Sequence, residues 1–448
     1  AYVAEHPGEV VGGQGWDEHG WPEGRAPTRH DLDRVANGAK VYLSRVDGHS
    51  AVVSTALLES IPEAARADGY EDGLVRRAAQ RLIQRAAQDD IPDDQRRDLH
   101  RSVLGRAAAQ GIGAIHELAA PHITSEHDVR ALVSLAQDEP WPEVVPYWGE
   151  AGGGVLRARA LGARGAAGDL TLDGALGSHS AGLSEPYADQ PSTRGQLYLD
   201  VPAATEHVVA CTDAGLQAGF HCIGDEAVRI AVTAMTQAAQ RCGAAAVVAA
   251  RHRLEHVEMI SAEQVDELAR LGVVASVQPA FDASWGGRNG MYATRLGPDR
   301  AVALNPFAAM ARAGVTLAFG SDSPVTPLGG WEGVRAAVHH RTPAHRMSVQ
   351  DAFTAATIGG WRAARVDDAG VLAPGMLASY AVWEVPGEAQ ARATGGTAAG
   401  PHAGTQPVPP RFPDLSPENP LPSCVRTVVR GSVVFDRGQD RHRPDGPA

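Results

Sequence analysis

The sequence predicts an α/β fold built around a parallel barrel, and three observations carry that expectation. In the second half of the chain, short apolar runs alternate with helical stretches; strands alternating with helices of about 10–15 residues are the pattern of parallel βαβ units. Polar residues recur at the C-terminal ends of the runs, which favours a barrel over an open sheet. Three of those ends carry side chains of metal-ligand type: Gly-Phe-His-Cys-Ile-Gly-Asp (219–225), Arg-Leu-Glu-His-Val-Glu (253–258) and Phe-Gly-Ser-Asp-Ser-Pro (319–324).

The elements follow in chain order. Residues 1–36 are rich in Gly, Trp, Pro and charge and read mainly as loop. Residues 41–46 read as a strand ending at Asp47-Gly48-His49. From about 60 to 110 the apolar spacing of three and four is helical. Residues 111–117 close another strand, 125–137 a helix, 143–148 a strand, and 169–173 a short strand. Helices are expected at 205–214, 226–241, 262–271, 306–313 and 348–362. Strands are expected at 217–221, within 245–256, at 273–278, 315–320 and 378–384. Residues 386–422 are rich in Pro, Gly and Ala and read as a disordered loop. A strand pair at 425–436, turning near Gly431, ends the fold. The division is a barrel over 1–366, with a helical insertion at about 60–110, and C-terminal strands over 367–448.

Composition sets limits. At 448 residues the chain can bury one large core. A net charge of −13 argues against a nucleic-acid partner. No apolar run reaches the roughly 18–20 residues that span a bilayer, and no signal peptide is visible at the start. Cys211, Cys222, Cys242 and Cys424 form no CxxC pair, so reduced thiols in a cytoplasmic setting are expected. Lys40 is the only lysine.

Strand ends on one face of a parallel barrel converge on one pocket. His221 or His256 alone reads equally well as a satisfied core histidine. Asp322 is more telling, because a carboxylate in a tight turn after an apolar strand needs a partner, although it also suits a helix N-cap. The spacings of 35 residues (221 to 256) and 66 residues (256 to 322) match one and about two βα units. Two imidazoles and a carboxylate around an open coordination position make a hydrolytic metal site. Around it, His49 and His179 are candidate substrate contacts, Gln278 a candidate hydrogen-bond donor to substrate, and Trp285, with Phe281 and Trp331, a candidate pocket wall. Glu255 and Glu258 flank His256, where a carboxylate can fix an imidazole tautomer.

The chain resembles the amidohydrolase superfamily, in the branch containing N-substituted formamide deformylases and related metal-dependent hydrolases. The resemblance rests on Gly15-Trp16-Asp17, Pro27-Thr28 with Leu32-Asp33, Asp47-Gly48-His49-Ser50, Asp173-Gly174 with Gly177-Ser178, Glu185-Pro186-Tyr187, the three signatures above, Ser276-Val277-Gln278-Pro279 and Gly370 to Gly375. It implies a (β/α)8 TIM-like barrel with a small β-sandwich built from both chain ends, a divalent metal (zinc, one ion favoured), a small-molecule substrate and a homodimer. It also implies a His-x-His pair on the first barrel strand and a bridging lysine. Neither is present: no His-x-His precedes residue 49, and Asp169 stands at the lysine position. The chain starts at Ala1 within a motif, so the His-x-His segment and part of the sandwich are expected upstream. Asp169 is either a direct ligand or the mark of a mononuclear site. The metal set carried over is His221, His256, Asp322 and Asp169.

The chemistry expected is hydrolysis of a non-peptide C–N bond, of amide or N-formyl type. A divalent ion lowers the pKa of bound water towards ~7. Asp322 then handles the proton, with His256 as the second catalytic candidate if it is not a ligand. The alternatives are a heterocycle deaminase on the same barrel and a truncated, inactive relative acting as a binding protein.

Overall fold

The computed structural model describes residues 10–89, 91–386 and 411–440. Its first sheet is one that sequence periodicity does not reveal. Strand β1 (Val11–Trp16) contains Gly12, Gly13 and Gly15, and glycine is a poor strand former. It is extended because it pairs in parallel with β2 (Val41–Arg45). Between them, Thr28 and Asp31 form a reciprocal capping box that starts the helix Arg29–Ala36. Residues 10–36 are therefore structured, against the expectation of loop. Strands β3 (Ser50–Val53), β4 (Tyr70–Glu71) and β5 (Leu74–Arg76) complete a sheet of order β1-β2-β3-β5-β4.

The expected helical run over 60–110 is corrected in its first part. The β4–β5 hairpin occupies it, and the helices are Arg77–Asp89 and Asp93–Ala109. Glycines at 69 and 73, with φ of +92° and +89°, turn the chain there.

The second sheet is parallel throughout. It contains β6 (Ala114–Ala119), β7 (Glu143–Trp148), β8 (Gly165–Ala166), β9 (Gln217–Cys222), β10 (Arg253–His256), β11 (Val274–Val277) and β12 (Thr316–Phe319). Sequential strands are spatial neighbours, in the order β12-β11-β10-β9-β8-β7-β6. This is the topology of a TIM-like barrel with seven strands among the described residues. There the sheet is open between β12 and β6 rather than closed by an eighth strand. The expected strand at 169–173 lies instead at Gly165–Ala166, and 170–172 meets the sheet at an isolated parallel bridge of Thr171 to His221, made by backbone hydrogen bonds of Leu170 and Leu172. Within 245–256 the chain forms a helix (Ala244–Ala250) before β10.

Helices cover the outer face. Val201–Asp213 and Asp225–Cys242 pack beside β9, and Ala262–Leu271, which starts at a Ser261/Gln264 capping box, precedes β11. The core they enclose includes Phe220, Leu254, Leu268, Ala275 and Phe307, each 0% exposed. Full burial of such a large apolar side chain stabilises by roughly 1.5–3 kcal/mol. The helix expected at 348–362 is interrupted by a π-helical segment, Ala355–Gly359. Gly359 packs there against the Leu317 carbonyl of β12, where an added Cβ would sit 2.0 Å from the oxygen.

The C-terminal unit is a three-stranded antiparallel sheet, β13 (Tyr380–Glu384), β14 (Ser423–Val429) and β15 (Ser432–Asp436). It stands where a β-sandwich was expected. Of the loop expected to be disordered, 387–410 lies outside the described residues. Residues 411–422 are ordered: Leu415 is 4% exposed, and Phe412 and Leu421 pack on the barrel core. The reason is apolar content within an otherwise Pro-rich stretch.

Candidate metal and active site

Strands β6, β9, β10, β11 and β12, with Asp169 after β8 and the turn Asp47–His49, border one cavity of about 2030 Å³. His221 sits near the end of β9 and His256 at the end of β10, adjacent strands in register. Their rings meet edge to face, 4.5 Å between centroids. Asp322 follows β12 and Asp169 follows β8, and both line the same cavity. Three residues at these strand ends hold left-handed backbone: His256 (φ 70°), Val257 (φ 52°) and Asp322 (φ 53°). For a β-branched residue such as Val257 this is strained, and strain of this kind clusters at functional sites.

Electrostatics bind the four groups together. Burial pushes the Asp169 carboxyl up to about 8, and the nearby Asp322 charge adds to the shift. Burial lowers the His256 pKa, but Asp322, Glu258, Glu255 and Asp169 outweigh it and leave the imidazole raised. His221 shifts far the other way, lowered by burial and then by His256. Its Nδ1 is buried without a hydrogen-bond partner. The Asp173 carboxylate is 3.4 Å from that nitrogen, but it is committed to the backbone N–H groups of Ile223, Gly224 and Gly182 at 2.8–3.0 Å.

The other predicted residues divide. His49 comes from the first sheet and reaches His221, with ring centroids 5.1 Å apart; burial and then His221 lower its pKa to about 4. Gln278 follows β11, and its Oε1 accepts a hydrogen bond from His256 Nδ1 at 2.8 Å, which fixes the imidazole tautomer. Trp285 and Phe281 border a second cavity of about 30 Å³ that also touches His49, His221, His256 and Asp322. Phe281 stacks on His256 at 5.8 Å. His179 points elsewhere: its Nε2 contacts Asp189 at 3.0 Å and it packs on Tyr187, outside both cavities. Trp331 lies on the wall of the large cavity. Glu255 is paired with Arg253 at 2.6 Å, and Arg253 in turn contacts His116 Nδ1 at 3.0 Å. Glu258 accepts from Asn305 Nδ2 at 3.3 Å.

The short N-terminal motifs form the frame for this site. Arg45, with 2% of its side chain exposed, bonds Glu18 at 2.9 Å, Asp47 at 2.7 Å and Asp17 at 3.1 Å. Asp47 also accepts from Ser178 Oγ at 2.8 Å and from the His49 N–H at 3.1 Å. Trp285 Nε1 donates to Asp17 at 3.2 Å. The motifs around 17, 47 and 178 thus meet at one buried guanidinium that holds His49 against the barrel. Sequence reading overlooked Arg45 at this centre, and Arg81 and His122 on the cavity wall. No local pattern distinguishes them.

The donor chemistry fits a divalent metal. It offers two imidazoles, one with an orphaned buried nitrogen, beside two carboxylates, of which Asp169 is raised by burial and by the Asp322 charge. Among the described residues, no three His, Cys, Asp or Glu side chains close into a cage. The ligands are gathered around the cavity without forming a finished coordination sphere.

Comparison with known proteins agrees with this architecture. The sequence profile described as the amidohydrolase family matches residues 1–435. The protein LONG AFTER FAR-RED 3 of Arabidopsis thaliana is 27% identical over 419 residues, covering 84% of this chain and 69% of that protein. The putative amidohydrolase YtcJ of Bacillus subtilis is 26% identical over 361 residues, covering 73% and 63%. The chain therefore spans about two thirds of the length of these relatives. The crystal structure of an uncharacterized metal-dependent hydrolase from Pyrococcus horikoshii superposes with a TM-score of 0.65 at 23% identity, covering 84% of this chain and 77% of that one. That likeness concerns the fold.

Proposed function

The chain belongs to the amidohydrolase family, and from that premise we propose that it is a metal-dependent hydrolase of a non-peptide C–N bond, of amide or N-formyl type. The observation that carries the proposal is the edge-to-face pair His221–His256 beside the Asp322 and Asp169 carboxylates at the mouths of β8, β9, β10 and β12. His221, His256 and Asp322 would hold the ion, with zinc the best match to an imidazole and carboxylate set. Asp169 would stand beside a single ion. When bound, such an ion polarises a carbonyl and lowers the pKa of water.

The side chains divide the remaining work. Asp322 takes the proton of the attacking water and returns it to the leaving nitrogen. Gln278 holds the His256 Nδ1 proton and so leaves Nε2 for the cavity side. His49, kept neutral by burial and by its histidine neighbours, serves as a hydrogen-bond donor or acceptor to substrate. Phe281 and Trp285 exclude water from the small cavity. Its volume of about 30 Å³ suits a very small acyl group, since one water needs about 10–15 Å³ of this kind of space.

The cavity runs between the open edges of β6 and β12, touching residues 111–118 on one side and 318–322 on the other. A further parallel strand bearing His-x-His, from sequence preceding Ala1, is our proposal for what fills that opening and completes the ligand set. A small-molecule substrate, a homodimer and a cytoplasmic setting complete the reading. The four free thiols suit that setting, and no described helix is long and apolar enough to cross a membrane.

The test is turnover of N-formyl and N-acetyl amines by zinc-loaded protein, with metal content measured in parallel. Turnover that falls at least ~100-fold in Asp322→Asn supports the assignment. A folded, zinc-loaded protein that cleaves none of the panel would overturn it.

A further inference from the structure

The helix Arg77–Asp89 belongs to no βα unit of the barrel, yet it forms part of the cavity wall. It is pinned there by Gln80, whose Nε2 donates to the Gly48 carbonyl beside His49. The next residue, Arg81, reaches the strand-end layer. Its Nη2 donates to Thr171 Oγ1 at 3.2 Å, and Thr171 is the residue that bridges His221. Its guanidinium lies over the Tyr198 ring, 4.7 Å from the centroid. Two side contacts therefore orient the group without neutralising it.

Two arginines nearby on this wall are neutralised. Arg77 pairs with Asp68 at 2.7 Å, and Arg253 with Glu255 at 2.6 Å. Among the described residues Arg81 has no carboxylate partner. It nonetheless lies close enough to His122 that its charge, after burial, helps lower the pKa of that imidazole to about 3. Gln84, one turn further along the same helix, also lines the cavity. A stacked guanidinium with free donors and no protein anion is built to receive a planar anion, and its fork matches a carboxylate edge to edge.

We propose that Arg81, held by Tyr198 and Thr171, binds a carboxylate of the substrate, so that the preferred substrates are N-acylated amino acids rather than neutral amides. The inference rests on the hydrolase reading for the reaction but not for the binding. The acyl group would enter between His221, His256 and the aromatic wall, and the carboxylate would point back towards the helix Arg77–Asp89. The reaction is balanced by water alone: the acyl C–N bond breaks, a C–O bond forms, and the amino nitrogen leaves with a proton.

The experiment compares N-formyl-L-leucine with N-formyl-L-leucinamide on the zinc-loaded full chain, in wild type, Arg81→Gln and Arg81→Lys. Binding of N-acetyl-L-leucine is measured calorimetrically on the same proteins. A charged hydrogen bond of about 1.5–3 kcal/mol predicts a kcat/KM preference for the acid of roughly 10- to 150-fold. In Arg81→Gln that ratio falls towards one, chiefly through KM, and Arg81→Lys restores part of it. A wild-type ratio near one, or a ratio unchanged in Arg81→Gln, overturns the carboxylate site while leaving the hydrolase reading intact. Turnover of neither compound, with binding that weakens at least tenfold in Arg81→Gln, supports the site and sinks the amide-hydrolase reading. Neither turnover nor binding sinks both.

Discussion

Glu117 offers a stability test that does not depend on substrate. It lies on β6 at the open edge of the parallel sheet, lines the cavity, and has no hydrogen-bond or ion-pair partner among the described residues. Burial, with a smaller push from Asp128, raises its carboxyl from 4.5 to about 7. Below pH 4.5 the group is protonated in both folded and unfolded chains and costs nothing. Between 4.5 and 7 the unfolded chain ionises first, so stability falls as pH rises. Above 7 the folded carboxyl ionises too, and the full penalty remains. A shift of about 2.5 units corresponds to about 3.4 kcal/mol. Glu117 is only half-buried and cavity water screens it, so about 2 kcal/mol is the better figure. Thermal unfolding of wild type and Glu117→Gln at pH 5 and pH 8 reads this directly. The two should melt close together at pH 5, and the variant should melt a few degrees higher at pH 8. Parallel pH dependences in the two proteins would refute the reasoning, because the glutamine cannot titrate.

Four further outcomes are expected. Arg45→Met strands the Asp17, Glu18 and Asp47 carboxylates around a buried gap and should cost about 3–5 kcal/mol; Arg45→Met with Asp47→Asn should melt above the single variant. Gly224→Ala would place a Cβ 2.1 Å from the Gly182 carbonyl oxygen, backbone against backbone, and should cost at least ~3 kcal/mol. Gly330→Ala, with nothing within 4 Å of its Cβ, should stay within about 0.5 kcal/mol of wild type in the same melt. Elemental analysis should find that Asp169→Asn retains one equivalent of zinc and that Asp322→Asn loses it. Loss of zinc in Asp169→Asn would make that carboxylate a ligand and end the single-ion account in its present form.

Much of the barrel was legible because its signals are local. The helix Ala262–Leu271 announces itself by the Ser261/Gln264 capping box and the αL glycine at 272. The strand ends at His221, His256 and Asp322 stand out because an apolar run stops at a polar group beside a turn. The β14–β15 hairpin was visible from Gly431 between two β-branched runs. Other elements escaped for equally physical reasons. β1 has a glycine-rich sequence with no strand propensity, and the hydrogen bonds of β2 make it a strand. β8 is two small residues between longer strands, too short to show a period.

The sequence by itself determined the class of the fold, the order of its βα units and the donor types at the strand ends. These depend on hydrophobic period and turn chemistry, which act over a few residues. Tertiary structure alone decided which distant groups share a wall. It set the His256–Gln278 bond, His179 outside the cavities, Arg45 among three carboxylates, and Arg81 beside Tyr198 without an anion. Charges and hydrogen bonds act through space at a few ångströms, and the packing of sheets and helices chooses which residues come that close.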